Sequence, residues 1–168
     1  MMQLPKRKPG KYTYLKTDPN LTPAKYAELE EKVRRLKAVS RPKAAAEVKR
    51  LAEMGDLSDN AAYSIAKGRL RGLNQRILEL EDHLKRAVII KPPDDMSVVR
   101  LGHQVTIETG GKERTYQILG SSETDPEHGA ISNSSPLGSA LMGKRVGDIV
   151  RIRPTLAKEI SYRIIKIE

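Results

Sequence analysis

Two aspartates, Asp56 and Asp59, lie three residues apart in the segment GDLSDN, residues 55–60. Carboxylates at this spacing support two kinds of chemistry. They can cap the helix that follows, because they accept hydrogen bonds from its first N–H groups and complement its dipole. They can also add oxygen ligands to a Mg²⁺ ion in the site of a partner. A capping carboxylate keeps one oxygen free, so the local sequence leaves both roles open.

Four basic side chains follow this acidic segment: Lys67, Arg69, Arg71 and Arg76. On a helix, Lys67 and Arg71 share one face, and Arg69 and Arg76 share the next. This pattern is typical of the solvated flank of a coiled coil. It fits equally well a track of cations that contacts nucleic-acid phosphates.

The other candidates for chemistry are weaker. The chain contains no cysteine, which excludes a disulfide framework, a thiolate zinc site and a cysteine nucleophile. Its three histidines fall in different predicted elements and lack metal-ligand spacing. The serine cluster at residues 132–135 has no neighbouring base, so we expect turn and capping roles there.

Composition narrows the class of protein. In 168 residues, Lys and Arg number 31 against 21 Asp and Glu, a net charge of +10, and most of this excess lies in the first ninety residues. Such a balance indicates either a polyanionic partner or a solvated basic surface. The absence of Phe and Trp limits the size of any core. No apolar run approaches the roughly 20 residues of a membrane span, and we expect a cytoplasmic protein without a membrane partner.

A long first helix is predicted from Thr22-Pro23, which supply an N-cap and a proline at the first helical position. Its apolar positions are three and four residues apart, as in a coiled coil: Tyr26, Leu29, Val33 and Leu36. The pattern resumes at Ala44, eight residues after Leu36, where a heptad gives seven. Because Pro42 lies between them, we predict a kink or short break at residues 40–42.

A second helix follows from about Asp59 to Val88 and would extend roughly 45 Å at 1.5 Å per residue. Its apolar series has an unbroken spacing of three and four: Tyr63, Ala66, Leu70, Leu73, Ile77, Leu80, Leu84 and Ala87. Two such helices joined by a short turn must lie antiparallel. Residues 21–91 are therefore predicted to form a coiled-coil hairpin with an acidic tip at residues 55–60.

Apolar residues alternate with polar ones after Lys91, which predicts strands. The turn at residues 109–112 predicts a β-hairpin, and Ser135-Pro136 predicts a short helix. The predicted fold class is α+β, a helical hairpin followed by a small antiparallel sheet domain with one short helix. We place the domains at residues 1–20, a basic flexible arm, 21–91 and 96–168.

Several separated segments resemble the Gre transcript-cleavage factors of bacterial RNA polymerase. Residues 55–63 (GDLSDNAAY) are similar to that family's acidic-tip motif, Gly-Asp-x-Ser-Glu-Asn-x-x-Tyr. Arg41-Pro42 and Thr22-Pro23-x-x-Tyr26 resemble its first helix. The FKBP-like domain of the family is matched by YQILG (116–120), DPEHGAIS (125–132) and SPLGSALMGKRVGD (135–148).

The resemblance implies a cytoplasmic, monomeric protein that is not itself an enzyme. Such a factor binds RNA polymerase through its C-terminal domain and inserts the hairpin into the secondary channel. There it stimulates the polymerase to cleave backtracked nascent RNA. No cofactor is implied for the free protein, because the Mg²⁺ ion is shared with the polymerase active site.

The resemblance also assigns roles to individual residues. Asp56 matches the motif's Asp and Asp59 its Glu, which makes them the catalytic tip acids and the ligands of the shared Mg²⁺. The residues that shape the tip are Gly55, Ser58, Asn60 and Tyr63. The basic patch facing the RNA 3′ end comprises Lys67, Arg69, Arg71 and Arg76.

Two departures from the family pattern keep alternatives open. Asp59 replaces the usual Glu, and the missing methylene shortens its reach by about 1.3–1.5 Å. Ala62 stands where an acid is common. A Gre-fold regulator that occupies the channel but stimulates cleavage weakly, or inhibits it, is therefore a second hypothesis. A prolyl isomerase, which the missing Phe and Trp disfavour, and a coiled coil that binds free nucleic acid are further alternatives.

Overall fold

The computed structural model describes residues 18–54, 61–91, 93–153 and 159–168. Its N-terminal part is a hairpin built from three helices: α1 (Pro23–Arg35), α2 (Arg41–Glu53) and α3 (Ala61–Lys85). Helix α1 begins as predicted, since the Thr22 hydroxyl accepts a hydrogen bond from the Lys25 N–H at 3.2 Å. Helix α3 packs antiparallel against α1 and α2.

A π-helical segment, Leu36–Ser40, joins α1 to α2 and overlaps the predicted break at residues 40–42 only at Ser40. The Arg41 N–H donates to the carbonyl of Leu36, five residues back. One extra residue per turn at this point accounts for the step of eight between Leu36 and Ala44. The buried seam therefore stays on the same side of the hairpin, and Leu51 near the end of α2 is buried.

The base of the hairpin is closed by two short strands. Strand β1 (Asn20–Leu21) precedes α1 and pairs in parallel with β2 (Val88–Ile89), which follows α3. Leu21 is fully buried in a cluster with Leu29, Val33 and Leu80. Helix α3 ends at Lys85, three residues before the predicted end, since Val88 leaves the helix to pair with Asn20.

The C-terminal part is a five-stranded sheet with one short helix. Its strands are β3 (Gln104–Thr109), β4 (Lys112–Leu119), β5 (Ala130–Ser132), β6 (Ile149–Ile152) and β7 (Ile160–Ile167). Their order is β5-β4-β3-β7-β6, and every pair is antiparallel except β4 with β5. Helix α4 (Pro136–Leu141) begins at the predicted cap, where Ser135 accepts from the Gly138 N–H at 3.0 Å.

Alternating residues of the strands form the core beneath α4, together with Leu141 of that helix. The turn between β3 and β4 has positive φ angles at Gly110 and Gly111, 57° and 74°, as a two-residue hairpin requires. The predicted fold class, a helical hairpin followed by a sheet domain with a short helix, is confirmed. The parallel pairing of β5 is an addition to the predicted antiparallel sheet.

Candidate functional site

The far end of the hairpin lies where α2 ends at Glu53 and α3 begins at Ala61. At 1.5 Å per residue, the 25 residues of α3 place this end about 37 Å from the base. Five predicted tip residues belong to the intervening segment and lie outside the described residues: Gly55, Asp56, Ser58, Asp59 and Asn60. Their roles stay predictions.

Tyr63, the remaining predicted tip residue, is half-buried in the first turn of α3. The Lys67 ammonium lies 5.8 Å from the centre of its ring, one helical turn further on. A cation at this distance is attracted to the aromatic face. Tyr63 thus orients one of the four predicted basic side chains near the tip.

The four predicted basic residues are all exposed, and they divide between two flanks of α3. At about 100° per residue, Lys67 and Arg71 lie roughly 100–140° to one side of Ala66, which marks the buried seam. Arg69 and Arg76 lie roughly 60–80° to the other side. The basic residues therefore form two stripes along the hairpin rather than one cluster.

Ion pairing differs between the two stripes. Arg76 lies 3.8 Å from the Glu79 carboxylate. Hydrogen bonds from Arg50 hold the pKa of Glu47 on α2 below its ordinary value, and the nearby charge of Arg69 adds to this effect. Within the described part of the chain, Arg71 has no ion-pair partner. The charge of the stripe formed by Lys67 and Arg71 is therefore less neutralised than that of the stripe formed by Arg69 and Arg76.

The distal part of α3 carries no acid from Ala61 to Leu78, whereas Glu79, Glu81 and Asp82 follow nearer the base. Glu81 forms an ion pair across the hairpin with Lys37. Acids and bases are thus balanced near the base, and the positive charge of α3 is concentrated toward the tip.

Comparison with known proteins identifies the family. The family model described as "Transcription elongation factor, N-terminal" matches residues 20–89, and that described as "Transcription elongation factor, GreA/GreB, C-term" matches residues 93–168. This chain belongs to the GreA/GreB family of transcription elongation factors. The resemblance stated from the sequence motifs is thereby confirmed, and residues 1–19 lie outside both family models.

Named relatives of this GreA/GreB-family chain share most of its length. "Transcription elongation factor GreA" of Macrococcus caseolyticus (strain JCSC5402) is 38% identical over 149 residues, which are 88% of this chain and 94% of the relative. The protein of the same name from Staphylococcus aureus (strain JH9) is 37% identical over 150 residues, 88% of this chain and 95% of that one. These relatives are named as transcription elongation factors and not as enzymes.

This chain is also similar in sequence to proteins of solved structure, one of which is described here by its identity to this chain. The crystal structure of GreA factor homolog 1 (Gfh1) of Thermus thermophilus is 29% identical and covers 90% of this chain and 99% of its own, with a TM-score of 0.41.

The described ranges of this Gre-family chain bear on the expectations for a metal site, a membrane span and the serine cluster. Residues 18–54, 61–91, 93–153 and 159–168 contain no group of three or more His, Cys, Asp or Glu side chains able to hold a metal ion. No helix in the same ranges is both long and apolar enough to cross a bilayer. The serines have the expected turn and capping roles, as Ser135 caps α4 and Ser132 accepts from the Ser134 N–H.

Sequence reasoning missed the residues that join the hairpin to the sheet domain. Asp18 and Asn20, assigned to the predicted arm, lie at the base of the hairpin and contact the sheet domain. Thr22 was predicted only as a cap, yet it also binds Glu123, which is 101 residues away in the chain. The sequence contained one local sign of the Thr22–Glu123 contact. Helix α1 has no acidic residue in its first turn, where a negative charge is favoured.

Proposed function

We propose that this chain binds bacterial RNA polymerase and inserts its hairpin into the secondary channel, where Asp56 and Asp59 stimulate cleavage of backtracked nascent RNA. One observation carries the proposal. In a chain of the GreA/GreB family, the segment with both acids connects two helices at the end about 37 Å from the base.

The chemistry of the tip supports this assignment. Hydrolysis of a phosphodiester by two metal ions needs each ion to be held while a water molecule is activated and the leaving oxygen is stabilised. Carboxylate oxygens are ligands that Mg²⁺ prefers. In the proposal the ions belong to the polymerase, and this chain adds carboxylate oxygens to a site it does not itself form.

The charge of the hairpin supports a path along RNA. The acid-free stretch of α3 carries Lys67 and Arg71 on one flank, with Arg71 exposed. Cations near the tip attract the phosphates of an extruded RNA 3′ end and release its counterions. The proposal therefore gives these side chains a role in positioning RNA and leaves the cleavage chemistry to the tip acids.

A cleavage assay tests the proposal. A polymerase complex stalled in a backtracked position, with RNA labelled at the 5′ end, is mixed with Mg²⁺ and the protein. We expect the wild-type chain to accelerate cleavage at least tenfold and Asp56→Ala to return the rate to that of polymerase alone. Asp94→Ala, which removes an exposed acid outside the hairpin, is the matched control and should keep the acceleration. A wild-type chain that binds the complex without accelerating cleavage contradicts the proposal.

The second hypothesis, a regulator that occupies the channel with weak or inhibitory effect, predicts a different result in the same assay. It rests on Asp59, whose carboxylate is one methylene shorter than the Glu of the family motif. If this length limits metal contact, Asp59→Glu increases the cleavage rate. An unchanged rate in that variant removes the main support for this hypothesis.

A further inference from the structure

Two carboxylates accept hydrogen bonds across the junction between the hairpin and the sheet domain. One belongs to the sheet domain, and the other belongs to the segment at the base of the hairpin. Glu123 of the sheet domain accepts hydrogen bonds from the Thr22 N–H at 2.6 Å and from the Thr22 hydroxyl at 2.5 Å. Asp18, just before β1, accepts from the Ser121 N–H at 2.9 Å and from its hydroxyl at 3.1 Å. Each domain thus supplies an acid to backbone N–H groups of the other.

Glu123 takes the place of an acid that α1 lacks. The first turn of α1 contains no acidic residue, although the N-terminus of a helix favours a negative charge. The Thr22 hydroxyl also accepts from the Lys25 N–H while it donates to Glu123. The start of the hairpin therefore depends on the sheet domain for a charge-assisted contact.

Gly120 allows the two domains to approach this closely. A Cβ atom built at Gly120 would lie 2.1 Å from the backbone oxygen of Asn20 and 3.0 Å from its carbonyl carbon. These are backbone atoms, which cannot rotate away as a flexible side chain could. Any larger residue must therefore push β1 away from the sheet domain.

The hairpin side of the junction is itself firmly held. The buried side chain of His83 donates from Nε2 to the Asp18 carbonyl at 2.9 Å, and the Val88 N–H donates to the Pro19 carbonyl at 2.7 Å. Asp18 is thereby tied to α3, and its neighbour Pro19 is tied to β2. A contact made at Asp18 therefore acts on the base of the hairpin, where α3 and β2 hold this segment.

We propose that Asp18, Glu123 and Gly120 form an interdomain clamp that fixes the direction of the hairpin relative to the sheet domain. The clamp comprises positioning residues, far from the tip. At a hairpin length of about 37 Å, a rotation of 10° at the base displaces the tip by about 6 Å. Because positioning errors of even about 1 Å reduce catalytic rates strongly, a loose clamp would impair delivery of the tip acids. This consequence for cleavage rests on the proposed function, whereas the clamp itself does not.

Distance measurements on the free protein test the clamp directly. The chain has no cysteine, so Ala45→Cys on α2 and Lys112→Cys in the sheet domain accept spin labels selectively. We expect one narrow distance distribution in the wild-type background. It should broaden or shift in Glu123→Ala, in Asp18→Ala and in Gly120→Ala, which perturb the junction by different means. Glu159→Ala, at an exposed acid outside the junction, is the control and should leave the distribution unchanged.

Amide hydrogen exchange provides a second readout that a general loss of stability would not mimic. The Thr22 N–H should lose protection in Glu123→Ala and the Ser121 N–H in Asp18→Ala, while amides of β3 in the sheet core keep theirs. Distance distributions and Thr22 protection that are the same in wild type and in Glu123→Ala would overturn the proposal.

The cleavage assay then separates the clamp from the proposed function. The clamp variants should keep the apparent affinity for polymerase and lose at least fivefold in cleavage rate at saturation. If the wild-type chain fails to stimulate cleavage, the proposed function fails, and the distance measurements still decide whether the clamp exists.

Discussion

At the residue scale, Asp18 shows how hydrogen bonds outweigh burial. Partial burial alone raises the pKa of the Asp18 carboxyl, but hydrogen bonds from Asn20 and Ser121 together bring that pKa below its ordinary value. A carboxyl whose pKa is lower in the folded state stabilises the fold while it is ionised. That stabilisation is present above the unfolded-state pKa and is lost as the pH falls through the folded-state pKa.

Asp18→Asn should therefore change the pH dependence of stability with a defined sign. We expect wild type to melt at a higher temperature than Asp18→Asn by a constant amount from about pH 5 to pH 8. Below about pH 4 the difference should shrink, because protonated Asp18 no longer carries the charge that distinguishes it from asparagine. Thermal unfolding followed by circular dichroism across this range measures it. A difference that grows as the pH falls would contradict the assigned hydrogen bonds.

At the element scale, the π-helical segment keeps two parts of one seam aligned. Leu29 and Val33 on α1 and Leu51 on α2 are all buried, although one extra residue separates the two series. The extra residue is accommodated between Leu36 and Ser40. The carbonyl of Ala38 in this segment receives no helical hydrogen bond from Pro42, because proline has no N–H to donate. The irregularity therefore lies in the turn before Pro42, mostly N-terminal to the predicted residues 40–42.

A pair of single-residue deletions tests this account of the π segment. Deleting Ala38 removes the extra residue and leaves a regular heptad step, so the hairpin should fold with little loss of stability. Deleting Ala45 instead rotates Val48 and Leu51 about 100° away from the seam and should cost about 3 kcal/mol or more. Chemical denaturation followed at 222 nm compares the two. Equal losses would show that the π segment does not serve to keep the seam aligned.

Sequence patterns revealed the elements that depend on near neighbours. The three-and-four spacing from Tyr63 to Leu84 predicted α3, and the alternation around Val105 and Ile107 predicted β3. Strands β1, β2 and β5 were missed because two or three residues are too short to show a period. The Thr22–Glu123 contact was missed because its partners are brought together only by the folded chain.

At the scale of the whole molecule, the two parts differ in charge. Residues 21–90 carry 15 basic and 10 acidic side chains, a net of +5, whereas residues 91–168 carry 11 and 10, a net of +1. A basic hairpin suits a path along RNA phosphates, and a nearly neutral sheet domain suits contact with a protein surface. This division of charge agrees with the proposed roles of the hairpin and the sheet domain.

In the proposed function, the hairpin carries its acidic segment to the polymerase's metal ions. When Fe²⁺ replaces the Mg²⁺ of a backtracked complex and hydrogen peroxide and a reductant are added, the peroxide oxidises Fe²⁺ to Fe³⁺ and is split into hydroxide and a hydroxyl radical, which cleaves nearby polypeptide. With this protein labelled at one terminus, we expect cuts confined to residues near 55–60, which weaken when excess Mg²⁺ displaces the iron. Cuts in the sheet domain, or none in a complex shown to contain the bound protein, would contradict this proposal.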